Sequence, residues 1–420
     1  MRRRRRRQRF AVASGTLLFA AATLAIVSTR APSSQSAGTP TTPEVRVAGA
    51  SETARATSAV PPTASTVAER AGFTLAVTGD ILLHMPVNSR AATFASERGT
   101  GRYDFRPMFD RVRPLLSGVD LALCHLETPL SPDDADIRGN PVFSSPYEIA
   151  AAIHDAGFDG CSTASNHSYD GSEGGVRATL DHLDVAGVGH SGSARTEAEA
   201  SRARLYDANG VRVAHLAYTT FLNGSHPSEP WMINLAAPER IEQIVADARA
   251  ARAAGAQFVV VSVHWGIEFA RTPSAAQDQL ADLLTGIEEI DLVVGHHAHV
   301  IQPIERRNGK WVVFGLGNLL SNQHATTCCP AESQDGIVVR ITVMPDDAGA
   351  LAVTTVDYTP TWVDRTSFTV LPVHAAVADP ATPEGERDEL ARSRDRTAEA
   401  VRSRGAAVEE TPAAALAGGD

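Results

Sequence analysis

From residue 73 onward the chain alternates short apolar or β-branched runs with longer stretches of helical period. Phe73–Thr78, Leu121–Leu126, Gly160–Ala164, Val211–Tyr218, Phe258–Val263, Leu292–Val294, Trp311–Gly315 and Val338–Val343 predict strands, and Ser145–Ala156, Gly174–Ala186, Pro238–Ala254 and Ser274–Ile287 predict helices. This alternation predicts a layered α/β fold. The amino end differs. An Arg cluster from Met1 to Arg9 precedes Phe10–Val27, which is apolar apart from Ser14, Thr16 and Thr23 and carries no amphipathic stripe. A basic block followed by an apolar run is an export signal. About 18 apolar residues lie at the lower limit for spanning a bilayer, and Ser28-Thr29-Arg30-Ala31 is a poor cleavage site. Residues 1–30 are therefore read as a signal-anchor with the Arg block cytoplasmic and the body outside, a cleaved signal peptide being the other reading.

Residues 31–70 are rich in Ser, Thr, Pro and Ala and predict a disordered tether. Residues 71–380 form the body. Residues 381–420 alternate Glu, Asp, Arg and Ala and predict a charged, flexible tail or a solvated helix at 385–404.

Metal-binding residue types stand where five of the strands end. Phe73–Thr78 runs into Gly79-Asp80 and on to His84; Leu121–Leu126 runs into Glu127; the strand at 160–164 runs into Asn166-His167; Phe258–Val263 runs into His264-Trp265-Gly-Ile-Glu268; and Leu292–Val294 runs into Gly295-His296-His297-Ala-His299. Ligand sites of open α/β sheets lie at the carboxyl ends of strands. Any one of these residues alone reads as a helix cap or a satisfied polar group; five converging strands do not. His297 and His299 follow directly on a buried strand, where a turn that redirects the chain would bring both rings to one metal, and Gly295 permits close backbone approach.

Charge sharpens the picture. The 420 residues contain 38 Lys+Arg and 49 Asp+Glu, a net of −11. Residues 1–70 hold eleven Arg against three Glu, a net of +8, which leaves −19 for the rest. A body so acidic excludes nucleic acid as a partner unless a local cationic patch intervenes. The four cysteines, Cys124, Cys161, Cys328 and Cys329, are compatible with disulfides in an exported protein. A bond between the adjacent Cys328 and Cys329 would be strained, so pairing elsewhere or a loop-pinning role is expected for them, with buried thiols the alternative at 124 and 161.

Gly79-Asp80, Leu126-Glu127-Thr-Pro, Asn166-His167, Val263-His264-Trp-Gly-x-Glu268, Gly295-His-His-x-His299 and Leu316-Gly-Asn318 occur in the order and approximate spacing of the CapA family of poly-γ-glutamate capsule biosynthesis proteins. Residues 73–345 resemble that family, which is similar to the calcineurin-like metallophosphatase superfamily. The resemblance implies a four-layer α/β/β/α sandwich and a site for two divalent metal ions, drawn from Mn, Fe, Zn or Mg. Asp80 and Glu127 would be carboxylate ligands, Glu127 bridging; Asn166, His264 and His297 would complete one ion and His299 the other; His167 would donate a proton to the leaving group. His84 stands four residues after Asp80, where the superfamily has Asp-x-His, and His125 replaces the Asn of the usual Asn-Leu-Glu motif.

Mixed carboxylate, Asn and His donors without Cys suit such ions and hydrolytic chemistry. Trp265 either stacks substrate at the rim or packs beneath the metal loop, and Glu268 orients a ligand His or binds a cationic group. Asn318 bonds either substrate or the His triplet, and His296 does likewise or faces solvent. The implied substrates, an anionic polymer such as poly-γ-glutamate or a phosphoester, would engage a focused patch at the metals, helped by Arg271, Arg306 or Arg307. Three functions compete: an exported metal-dependent hydrolase, a non-enzymatic polymer assembly or export factor, and a generic exported phosphoesterase or nucleotidase. A capsule role implies a membrane-bound polymer synthase complex as partner.

Overall fold

The computed structural model describes residues 72–412. The expected signal segment and tether lie outside the described residues, and among the described residues no helix is long and apolar enough to cross a membrane. Strands β1 (Phe73–Ile81), β2 (Leu121–Leu126), β3 (Gly160–Ser162) and β4 (Gly189–Ser191) are parallel neighbours in one sheet. The chain then builds a second sheet from β5 (Arg204–Ala208), β6 (Val211–Thr219), β7 (Phe258–His264), β8 (Leu292–His296), β9 (Ile304–Arg307) and β10 (Lys310–Val313), in the order β5-β6-β7-β8-β10-β9. It returns to the first sheet with β11 (Asn318–Leu320), β12 (Asp335–Pro345), β13 (Leu351–Val363), β14 (Val370–Pro372) and β15 (Glu409–Glu410).

Residue parity assembles these into four layers. On β1, Phe73, Leu75 and Val77 are buried against Phe258, Val260, Leu292 and Val294 of the second sheet, whereas Ala76 and Ile81 face the helices Met85–Arg98 and Ile149–Ala156. On β7 the intervening Val259, Val261 and Val263 face Ile244 and Ala248 of the helix Ile241–Ala253 and Leu280 and Leu284 of the helix Ala275–Gly286. Period-2 side-chain alternation thus gives each sheet one face for its partner sheet and one for helices. The α/β/β/α sandwich implied by the resemblance is the observed architecture.

All eight predicted strands and four predicted helices are present. Seven further strands and the helix Met85–Arg98 were not foreseen. That helix buries Val87, Ala91 and Ala95, a small-residue stripe with a weak apolar signal, between Pro86 in its first turn and a left-handed Gly99 cap. The 13-residue β13 was hidden because its first five residues are exposed or half-buried, and Asp357 and Pro360 interrupt the run of its buried remainder.

Two expectations are corrected. The segment 384–402 is neither flexible nor fully solvated: the helix Glu384–Arg402 buries Leu390, Ser393, Thr397, Ala400 and Val401, with Leu390 packed among Trp362, Val373 and Ala376. Its high charge masks one apolar stripe. Arg396 donates to both oxygens of the buried Asp335 at 2.9 Å, and Ser393 Oγ donates to Asp335 Oδ1 at 2.7 Å. Cys328 and Cys329, expected to pair elsewhere, are bonded to each other. Cys124 and Cys161 face each other on β2 and β3, Cα atoms 4.4 Å apart, and form the second disulfide within the helix-side core.

Leu390→Ala removes a fully buried side chain and is expected to cost about 2–4 kcal/mol in urea-induced unfolding. An unchanged denaturation midpoint would mean that the helix does not dock.

Candidate metal centre

The carboxyl ends of β1, β2, β7 and β8 meet where the two sheets face each other, and a bulge decides which carboxylate enters. Val77 is opposite Leu123 and Asp80 opposite His125, so three steps on β1 match two on β2. The extra residue moves Asp80 onto the inter-sheet face of Phe73, Leu75 and Val77. The bulge requires Gly79, where a Cβ would lie 2.2 Å from the Gly317 carbonyl oxygen.

Asp80 is 1% exposed. His296 Nδ1 stands 3.2 Å from its Oδ1, the His297 main-chain N–H donates to its Oδ2 at 3.2 Å, and His299 Nδ1 lies 3.1 Å from Oδ2. Burial alone would raise this carboxyl, but the His296 and His299 contacts hold it well below the usual carboxylate range. Both His297 (φ 88°) and His299 (φ 54°) adopt left-handed backbone, so the chain does turn as it leaves β8. Such conformations cost roughly 1–3 kcal/mol each in non-glycine residues and persist where surroundings enforce them. Gly295 lets the turn approach: a Cβ there would meet the Phe314 carbonyl oxygen at 2.1 Å.

Glu127 is buried with neither carboxylate oxygen hydrogen-bonded; its nearest counter-charge is His299 Nε2 at 3.7 Å. Burial pushes its pKa to about 7, with His299 pulling the other way. Burial opposes charge on His299, yet Glu127 and Asp80 push its pKa up to about 9. Burial drives His297 down to about 3, and its Nδ1 is buried without a partner. Such orphaned donors, two carboxylate oxygens and an imidazole nitrogen, fit a divalent cation. The ligand atoms of Glu127, His297 and His299 lie within 4.8 Å of one another, and so do those of Asp80, His125 and His296.

Asn166 and His264 are also brought in, His264 Nε2 lying 2.9 Å from Asn166 Oδ1. His167 lies beside them, its Nδ1 2.7 Å from Asp170 Oδ2 and its Nε2 turned toward Asn223 Nδ2 at 3.5 Å. Asn318 Oδ1 is 3.0 Å from His299 Nδ1, so Asn318 supports the triplet rather than substrate, and Gln323 Oε1 in turn accepts from its Nδ2 at 3.0 Å. His296 is buried and not solvent-facing. Glu268 is exposed, close enough for its charge to act on Glu127 and His299.

Two expectations fail, and Trp265 takes the second of its two readings, packing rather than stacking on substrate. Trp265 is 1% exposed, donates Nε1–H to the Phe314 carbonyl at 2.9 Å and packs with the outer helices, because it points to the opposite face of its strand from His264. His84 belongs to neither donor group: its Nδ1 accepts the Asn322 main-chain N–H at 3.4 Å and its ring abuts Phe143. Arg271, Arg306 and Arg307 serve Glu399, the Gly309 carbonyl, and Asp278, Asp282 and Glu305 respectively. Conversely, His125 is a site residue that the motif comparison treated only as a departure. It shares the face of Leu121 and Leu123, stacks on His296 with ring centroids 4.2 Å apart, and its Nε2 is 2.9 Å from His264 Nδ1. Strand parity alone would have found it. Asp170 was signalled by its position three residues after His167.

Phe143, Phe221 and Phe269 frame the histidines, with ring centroids 4.7 Å from His167, 5.0 Å from His297 and 6.2 Å from His299. A fold whose central histidines, Asp80 and Glu127 converge in this way matches the bacterial capsule synthesis protein PGA_cap over residues 74–323. The chain belongs to that family. It is 27% identical over 262 residues to the capsule biosynthesis protein CapA of Bacillus anthracis, covering 61% of each chain, so it spans about three fifths of that relative's length. It is also 27% identical over 290 residues to the PGA biosynthesis protein CapA of Bacillus subtilis, covering 64% of this chain and 71% of the relative. The calcineurin-like phosphoesterase YfkN from Bacillus subtilis aligns with 79% of this chain and all of its own at 15% identity and a TM-score of 0.41.

Metal binding must displace protons. With Glu127 at about 7 and His299 at about 9, one proton leaves between these values and two leave below 7. Affinity for Mn²⁺ or Zn²⁺ is therefore expected to fall about tenfold per pH unit on descending toward 7, and more steeply below, measured by chelator competition. A pH-independent affinity contradicts this protonation pattern.

Proposed function

We propose that this family member is an extracytoplasmic, metal-dependent hydrolase of cell-envelope polymer biosynthesis, acting on an anionic polymer of the poly-γ-glutamate type, and that its N-terminal segment anchors it beside a membrane-bound synthase complex. The observation that carries the reading is the partnerless Glu127 carboxylate facing His297 and His299, a donor set shaped for a cation and unexplained as a purely structural element. Asp80, Glu127, Asn166, His264, His297 and His299 would hold two ions, with His125 and His296 as further donors or as supports that orient them. Such ions, when bound, supply positive charge for the attacking and leaving oxygens of an ester or amide under hydrolysis.

The chain's own groups do the rest. Asp170 accepts a hydrogen bond from His167 Nδ1–H and orients the ring, so that an imidazolium form of His167 would give its Nε2 proton to a leaving group. The Phe143 main-chain N–H donates to the same Asp170 oxygen at 2.8 Å and keeps the carboxylate aimed. Asn318 holds His299 through Nδ1, the outer contact that sets a ligand imidazole's orientation. Phe143, Phe221 and Phe269 restrict water around these histidines. Arg271, Arg306 and Arg307 are occupied elsewhere, so attraction for a polyanion by residues 71–420, which carry −19, would come from the loaded centre.

Elemental analysis of the purified protein followed by incubation with poly-γ-glutamate and a panel of phosphoesters separates the possibilities. Chain shortening supports the proposal, phosphate release alone supports a phosphoesterase, and bound metal with neither product supports an assembly role. His297→Ala is expected to lose metal, whereas His167→Ala keeps metal and loses about 10²–10⁴-fold in turnover. Full activity in either variant breaks the assignment.

A further inference from the structure

The loop that follows Glu127 carries a second cluster, remote from the histidines and unused by the chemistry above. Asp134 stands on its outgoing limb and Glu148 on its returning limb, just before the helix Ile149–Ala156. Asp134 is 2% exposed and holds a left-handed backbone at φ 57°. Its Oδ1 accepts the Tyr147 main-chain N–H at 3.2 Å, but its Oδ2 is buried with no partner. Glu148 Oε2 is likewise buried without a partner, and the two carboxyl groups face each other within hydrogen-bonding reach. Burial, and then Asp134, push Glu148 up to about 8. Arg102 donates to the Asp134 carbonyl oxygen rather than to its carboxylate. Two desolvated carboxylate oxygens in contact repel unless something positive stands between them.

We infer that Asp134 and Glu148 bind a hard divalent cation, Ca²⁺ by its preference for oxygen donors, and that this ion staples the neck of the loop 131–147. The donors are all oxygen, and the half-buried position of Glu148 leaves room for water to complete the shell. Two protein carboxylates with water set an affinity of the order found in extracellular modules, Kd about 10⁻⁴–10⁻³ M. The staple has a reason to exist. The same neck is tied to the residues just after Glu127, Ser131 N–H donating to the Ser145 carbonyl at 2.7 Å and Ser145 Oγ to Thr128 Oγ1 at 2.9 Å. Between the two limbs lies Phe143, which packs on His167 and aims Asp170. Cation binding would therefore order the loop that positions the proposed proton donor. The inference does not depend on the hydrolytic reading, since the ion is bound whether or not the centre turns over.

Tb³⁺ tests it directly, because Tyr147 adjoins the two carboxylates and can sensitise a bound lanthanide. The full chain carrying His297→Ala, with the principal centre weakened, is expected to give Tb³⁺ luminescence on tyrosine excitation that Ca²⁺ displaces. Adding Glu148→Gln, or independently Asp134→Asn, should abolish at least nine tenths of that signal. In the same background, millimolar Ca²⁺ should raise Tm by about 2 °C, and either carboxylate variant should remove the rise. Luminescence that survives both carboxylate variants would overturn the site. So would a Tm that ignores Ca²⁺ and instead rises as the pH falls through about 8, the signature of two carboxyls sharing a proton.

Discussion

Everything in the molecule depends on burying the Glu127 carboxylate where no hydrogen-bond donor meets it. An isolated buried carboxylate is among the most costly groups a protein can hold, so its surroundings must answer it. They do so with histidines from both sheets: His299 at 3.7 Å, His297 with an orphaned nitrogen, and a row of His296, His125 and His264 running behind Asp80. Burial keeps His125, His264 and His297 uncharged, so the cluster is poor in positive charge despite its imidazoles. The site is stable as a collection of good ligands rather than as a collection of good ion pairs.

That requirement explains the architecture around it. The first sheet supplies both carboxylates together with His125, Asn166 and His167, the second supplies His264 and the His triplet, and neither alone contains a complete donor set. The inter-sheet core, from Phe73 against Phe258 to Val339 and Ile341 beside them, fixes the distance across which they meet. The bulge at Gly79 and the close approach at Gly295 are local departures from regular strand geometry at the two points where the donors cross over. Departures of this kind concentrate at functional sites because regular secondary structure does not aim side chains there.

Much of this was legible in the chain. Strands bounded by Asp80, Glu127, His264 and the His triplet announced both the layered fold and the edge that carries the ligands, because buried strands write continuous apolar runs and their ends expose polar residues abruptly. Illegible were features set by direction rather than by type. Trp265 and His264 are adjacent, but only the fold says which of the two faces the site, and the sequence left both sides open for the indole. His125 read as a deviation from a pattern when its parity with Leu121 and Leu123 placed it inside. His84 had the right chemistry four residues from Asp80, and the helix that begins beside it turns it toward Phe143. The Cys328–Cys329 bond went against a distance argument that had made pairing elsewhere the expectation.

Asp335 opens β12, which pairs with β1 directly beside the strand that delivers Asp80, and Arg396 from the carboxyl-terminal helix is its counter-charge. The family match ends at residue 323, yet the sheet's central strand has one of its neighbours, and that neighbour's buried acid has its only guanidinium partner among the described residues, beyond that boundary. Recognisable sequence and autonomous folding unit therefore have different limits here. A fragment cut to the recognisable part would retain all of the candidate ligands and lose the scaffold that aligns them, so boundaries for expression, domain fusion or transplantation of this site belong after residue 411.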